Sequence, residues 1–321
     1  MAATPDETLA EERQRRSKAA ASAFGAALLT LVSALVVLAA LREFPIVHVL
    51  DTLRANLGQD AAPGPGPVAR ALLYFEDHIP LFAAFQLLPA IAAAAIGVTL
   101  TFLYRSTRAR NPEVGKVPLI SAVAGAVLLV VAALVTTVSL ALDVQAFAGA
   151  EDQREQAARD AFSSPVRDAA SYLNLLGRLA LTIAIVTGSL QAMRVGLLTR
   201  FMGVLGIIVG VLFVIPPLEG QVPFVRIFWL VGLGALFLHR WPGAMPPAWV
   251  TGEAHRWPTQ QEIREQRMAA RAAGDPAAAD EQVRRPRRAR ADPPETPAPE
   301  PPPRTGKPHS SSKKKKKRKR R

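Results

Sequence analysis

Long apolar stretches recur along the chain, separated by short segments that collect charge, glycine and proline. A hydrocarbon core about 30 Å thick is crossed by about 20 helical residues. Six stretches approach that length: Ala19–Leu41, Pro80–Tyr104, Leu119–Leu142, Leu173–Met193, Leu197–Pro216 and Val222–Leu238. The first four are long and unbroken. The last two are shorter and separated by "PLEGQ", which reads as a tight hairpin between two spans. The pattern predicts an all-α fold, a polytopic membrane helix bundle with six transmembrane helices and a disordered basic C-terminal tail. Its expected organisation is a cytoplasmic segment over 1–18, a transmembrane domain over 19–238, a juxtamembrane Trp/Pro segment with a short helix over 239–274, and a Pro-rich, polybasic tail over 275–321.

The segments between spans carry patterns of their own. In "FPIVHVLDTLRANLG" the residues Ile46, Val49, Leu50, Leu53 and Leu57 share one helical face, as a helix lying in the membrane interface would need. After "AAPGPGP" a second short helix, "VARALLYFEDHI", leads into the second span. The loop over 143–171 is acidic with helical composition, and Pro165 interrupts it. Thr259 and Glu262 form a capping box for a helix through Ala273, ended by Gly274. The first span follows "RQRRSK", but its apolar run exceeds the roughly 7–15 residues of a signal peptide and no small-x-small site follows it. An uncleaved anchor is expected.

Charge then orients the bundle. The chain carries a net +13, but from His239 onward there are 21 Lys/Arg against 9 Asp/Glu, while the preceding part nearly balances at 18 against 17. Ten basic residues, among them Arg13, Arg105, Arg110, Arg194 and Arg200, fall before span 1, between spans 2 and 3 and around the start of span 5. The alternate loops hold six basic and twelve acidic residues. Positive loops stay inside, so both termini are expected in the cytoplasm. Richness in Ala, Arg, Gly and Pro points to a GC-rich bacterial genome, and hence to a bacterial inner membrane. The tail ends in an unbroken cationic run: Lys313, Lys314, Lys315, Lys316, Lys317, Arg318, Lys319, Arg320 and Arg321. Attached to a membrane domain, such a run is expected to contact anionic lipid headgroups, with nucleic acid as the other polyanion it suits.

Candidate chemistry is sparse. With no cysteine, thiolate nucleophiles and thiolate metal sites are excluded. Ser189 in "VTGSLQAM" invites comparison with rhomboid-type intramembrane proteases, but leucine follows it where that family has glycine, and no histidine lies within a span to deprotonate it. A bond from Ser189 to a carbonyl of its own helix is expected instead. His78 beside Glu76 and Asp77, with His48 near, lacks the fixed spacing of a metal motif, so no metal, cofactor or catalytic residue is assigned. Two charges lie within spans, Arg178 and Arg226, each near an outer end. They are expected to snorkel or to pair with outer carboxylates such as Asp168 and Glu219, with an anion or substrate path as the functional alternative. Trp241, Trp249 and Trp257 follow the last span and are expected to anchor at headgroup level. Gly203, Gly206 and Gly210 recur at helix-packing spacing; they suit close approach within the chain, or self-association of two copies.

The stretch "LLTRFMGVLGIIVGVLFVIP" with "FWLVGLGALFLHRWPGAMPPAWVTGEAHRWPT", Leu197 to Thr259, resembles the ending of uncharacterised multi-pass membrane proteins of GC-rich bacteria. The resemblance implies a membrane location and no activity. The expected function is therefore a non-enzymatic membrane scaffold or interaction protein whose polybasic tail binds anionic lipid. The alternative is a small transporter or channel, which needs polar groups at mid-membrane on a broken helix; Gln86 and Pro89 are the residues that hint at one. The third class is a tail that holds nucleic acid at the membrane. No small-molecule substrate is identifiable.

Overall fold

The computed structural model describes residues 4–43, 66–214 and 223–257, together with 261, 262, 264, 265, 268 and 269. Among them only helices and turns occur: α1 (Pro5–Glu43), α2 (Pro67–Asp77), α3 (Ile79–Arg110), α4 (Val117–Ala148), α5 (Glu155–Phe162), α6 (Pro165–Arg194), α7 (Arg200–Val214), α8 (Pro223–Phe237) and α9 (Ala248–Thr251). Four of these, α1, α3, α4 and α6, are long and apolar enough to cross a membrane. The protein is thus a helical membrane protein. Its outer surface bears this out with a belt of exposed Leu, Ile, Val and Phe on every one of these helices, a surface that water would not tolerate at this extent.

The helix count by length differs from the expected six. α7 and α8 have 15 residues each, about 22 Å of helix against a hydrocarbon core of about 30 Å. The hairpin expected between them lies outside the described residues, as do the interfacial helix over 46–57, the cap at Thr259 and the whole tail over 275–321. The first helix also begins earlier than its apolar pattern, at Pro5 rather than Ala19. Its start is a capping box: Glu7 N–H donates to Thr4 Oγ1 (3.4 Å), Thr4 N–H donates to Glu7 Oε2 (2.8 Å), and Pro5 holds the first helical position. Pro165 likewise opens α6 rather than interrupting a helix.

The six longer apolar helices close into a ring in the order α1, α3, α4, α6, α7, α8, with α8 packed back on α1 and with α3 and α6 also touching. Missing side chains make the α4–α6 contact possible. A Cβ on Gly125 would stand 2.7 Å from the Leu181 backbone nitrogen and 2.9 Å from the Gly177 carbonyl oxygen, so the two backbones meet directly. The stripe on α7 is spent in the same way within the chain: Gly203 faces Met193, Gly206 faces Ser189 and Trp229, and Gly210 faces Val186 and Ile185. Outside the ring, α2 and α5 form a small layer over the end of α4, built on Ala69, Leu72, Leu140, Val144, Phe147 and Ala158. Glu155 holds it together by accepting from the Val68 and Ala69 N–H groups at 3.1 and 3.4 Å.

At the other end of the ring a buried ion pair ties three distant segments. The Arg110 side chain is 0% exposed and that of Glu12 10%. Arg110 Nη2 donates to Glu12 Oε2 (3.0 Å) and to the Ala248 carbonyl (2.7 Å); Nε reaches the same carbonyl at 3.1 Å; Nη1 donates to Glu12 Oε1 and to the Ser106 carbonyl (2.9 Å). The guanidinium also lies 5.4 Å from the Trp249 ring centroid. Below it Phe102, Phe237 and Trp249 pack edge and face at 4.9–6.2 Å.

Two outcomes follow from this packing. Gly125→Val should destabilise the purified protein by about 1–3 kcal/mol through overpacking, whereas Gly25→Ala, where an added Cβ meets nothing within 4 Å, should gain about 0.5–1 kcal/mol; thermal unfolding in detergent reads both. Arg110→Met should cost about 3–5 kcal/mol because it strands the Glu12 carboxylate, and the double variant Glu12→Leu/Arg110→Met should recover much of that loss. A double variant no more stable than Arg110→Met would contradict the pairing.

Candidate functional site

Within the ring, away from the Arg110 end, the helices border a partly open cavity of about 250 Å³. All six ring helices line it. α1 contributes Thr30 and Ser33, α3 Gln86 and Pro89, α4 Thr136, α6 Asn174 and Arg178, α7 Phe213, and α8 Arg226. The lining follows from helix spacing, since Thr30 and Ser33 lie one turn apart on α1, as do Asn174 and Arg178 on α6. Pro89 stands inside α3, where a missing N–H and a ring clash loosen the helix. Gln86 and Pro89, the two residues that hint at a broken helix in the sequence, thus share a wall with both intramembrane arginines.

Among the described residues, Asn174 and the Phe213 ring contact the two arginines. Arg178 Nε donates to Asn174 Oδ1 at 2.7 Å. The Arg178 and Arg226 guanidiniums lie 5.9 and 5.4 Å from the Phe213 ring centroid, a cation–π arrangement that is stronger away from water. Both side chains line the cavity inside the ring. Asp168 is exposed at the start of α6, and Glu219 lies outside the described residues. Thr30 donates to the Ala26 carbonyl at 2.7 Å, so its hydroxyl oxygen still offers lone pairs to the cavity.

The Trp-rich segment after α8 folds onto the Arg110 end. Trp249 is 3% exposed and its Nε1–H donates to the Leu197 carbonyl at 2.8 Å. Trp257 Nε1–H donates to the Leu198 carbonyl at 3.0 Å, and Trp241 is half-buried against the core. The indoles satisfy carbonyls at the turn between α6 and α7, groups left over where a helix ends. An anchor at headgroup level therefore does not describe Trp249: its ring and its N–H are both committed to protein.

Other candidates resolve locally. Ser189 is fully buried, but among the described residues its Oγ has no hydrogen-bond partner, so the expected bond to its own helix is not made; the close approach of Gly206 fills the space around it. His78 stacks on Tyr74 at 4.2 Å and its Nδ1 lies 2.9 Å from the Tyr74 carbonyl. Among the described residues no three His, Asp or Glu side chains gather as a metal site would require. His48 and Lys313–Arg321 lie outside the described residues. The sequence signal missed was the set of neutral polar residues, Thr30, Ser33, Thr136 and Asn174, in otherwise apolar runs. Arg110 counts in the sequence only as one of the positive-inside charges, and Glu12 is not singled out there.

At the Arg110 end, His239 Nδ1 lies 3.0 Å from Arg16 Nη1, so the imidazole accepts there and is neutral. Burial, then the Arg16 guanidinium, with Arg13 adding and Glu12 opposing, push its pKa below the ordinary value of 6.5. A depressed folded value means the unfolded chain takes the proton more readily, so this contribution is present above about pH 6.5 and is lost as pH falls through the folded value. The melting temperature should drop between pH 7.5 and 5.5 more in the wild type than in His239→Asn. Asparagine is chosen because φ at 239 is +56°, a region it tolerates. Comparison with protein families, with characterised proteins and with solved structures finds no match to this chain.

Proposed function

We propose that the protein is a non-enzymatic solute-binding protein of a bacterial inner membrane, of the small transporter or channel class, with an anionic or strongly polar solute. The observation that carries this reading is the cavity walled by all six ring helices and lined by Arg178, Arg226, Asn174, Gln86 and three Thr/Ser hydroxyls. Polar groups within a bilayer are costly and are retained where they line a path or a site. In this reading α7 and α8 make a fifth and sixth crossing. The basic end carrying Arg15, Lys18 and Arg105 faces the cytoplasm, and the cavity belongs to the other half.

The tail gives a second, compatible reading as a lipid-binding scaffold arm. It is favoured by the docking of residues 248–257 on the basic end, since the sequence toward Lys313–Arg321 continues from there. There each cation near an anionic surface contributes about 1 kcal/mol.

The absence of cysteine makes a direct test simple. Ser33→Cys and Thr136→Cys should react with a membrane-impermeant thiol reagent added from the periplasmic side, as Asp152→Cys should, while Glu113→Cys should not. In proteoliposomes nitrate or phosphate flux should fall at least tenfold in Arg226→Leu and Arg178→Leu. If Ser33→Cys stays unreactive, and both Leu variants match the wild type in flux and yield, the cavity reading fails and the scaffold reading stands alone.

A further inference from the structure

A second hollow lies on the lipid-facing surface of the bundle. It is a groove of about 500 Å³ between α1, α3 and α4. Its floor is set by Gly97, where an added Cβ would stand 2.9 Å from Ala126 Cβ; these two small residues let α3 and α4 approach and leave a trough above them. Its walls are apolar, with Val98 on α3 and Val127 and Val131 on α4. The one hydroxyl there has its proton committed, because Thr101 donates to the Gly97 carbonyl at 2.8 Å and so has none left to donate to a ligand.

One end of this trough is cationic. Arg15, Lys18 and Arg105 line it, and all three are exposed. Among the described residues no carboxylate is ion-paired to any of them. Glu11 lines the adjoining recess with Arg15 and Arg105, and Glu12 there is committed to Arg110. Even with Glu11 counted, three cations against one carboxylate leave a net positive rim. From Val98 to Arg105 the helix rises about 10 Å at 1.5 Å per residue, so the cations sit at a headgroup's height above a buried acyl segment.

An apolar trough two turns deep that ends in a cluster of uncommitted cations has the polarity of an anionic amphiphile, reversed. The geometry points to a specific anionic phospholipid site: one acyl chain in the groove, and the headgroup phosphate against Arg15, Lys18 and Arg105. Arginine supplies forked N–H donors for phosphate oxygens, and lysine adds a point charge. Basic pockets between membrane helices hold anionic headgroups in this manner. A second copy of the chain does not suit the site, because it would bring the same cations against themselves. The site is separate from the central cavity and from the tail, and it rests only on the apolar helices lying in a membrane.

The test uses the full chain in detergent micelles, titrated with phosphatidylglycerol, phosphatidylcholine or glycerol phosphate, and read by native mass spectrometry. One phosphatidylglycerol should remain bound under conditions that strip phosphatidylcholine, and glycerol phosphate should not displace it. Arg15→Gln/Lys18→Gln/Arg105→Gln should weaken retention on the order of a hundredfold, at about 1 kcal/mol for each of the three charges. Val127→Trp, at a side chain 54% exposed, should fill the trough and abolish retention without lowering the melting temperature. Replacing Lys313–Arg321 with glutamine should leave this lipid in place. The proposal is overturned if phosphatidylcholine binds equally, if glycerol phosphate competes as well as the lipid, or if either groove variant retains the lipid like the wild type. Loss of the lipid in the tail variant alone would assign it to the tail and overturn the groove as well.

Discussion

A guanidinium with no exposed surface must find all its hydrogen bonds in protein, and that requirement organises one end of this molecule. Arg110 donates them to the Glu12 carboxylate, to the Ser106 carbonyl in its own helix and to the Ala248 carbonyl beyond the last ring helix. The positions of α1, α3 and the Trp-rich segment are therefore set by one side chain. A buried pair contributes modestly when compared with apolar packing, but breaking it is severe. Its value is in specifying which segments meet. A hydrophobic seam of equal area would let helices this apolar slide past one another.

The two halves of the ring contrast in what they bury. Near Arg110 the interior is filled by Phe102, Leu103, Leu233, Phe237 and Trp249, all nearly inaccessible. Farther along, beside Pro89 and Phe213, the same helices leave a cavity whose lining includes hydroxyl, amide and guanidinium groups. One end is closed by packing and charge, and the other is hollow and polar. Solute and lipid would thus meet different parts of the bundle, the first in its centre and the second on its flank.

Much of the fold was legible in the pattern of apolar residues, because four long runs can satisfy their backbone in a bilayer only as helices. The start of α1 was legible too but was overlooked, since Thr4, Pro5 and Glu7 spell a helix cap ahead of the apolar run. Arg178, Arg226, Gln86 and Pro89 stood out locally as residues out of place. That they share one cavity depends on ring order, which no local pattern carries. Trp249 shows the limit differently. An indole at the end of a span suits a headgroup or a backbone carbonyl equally well, and the choice turns on the path of residues 239–257. Arg110 looked like an ordinary positive-inside charge because its partners are 98 and 138 residues away.

That separation bears on how the molecule is made. A chain entering a membrane from a ribosome presents Glu12 and then Arg110 long before Ala248 exists. Until the last helix is inserted, the guanidinium lacks two of its five hydrogen bonds, and the floor of the bundle has no Trp249. The junction is therefore the last part of this end to be completed, and it couples the path of residues 239–257 to the pairing of α1 with α3.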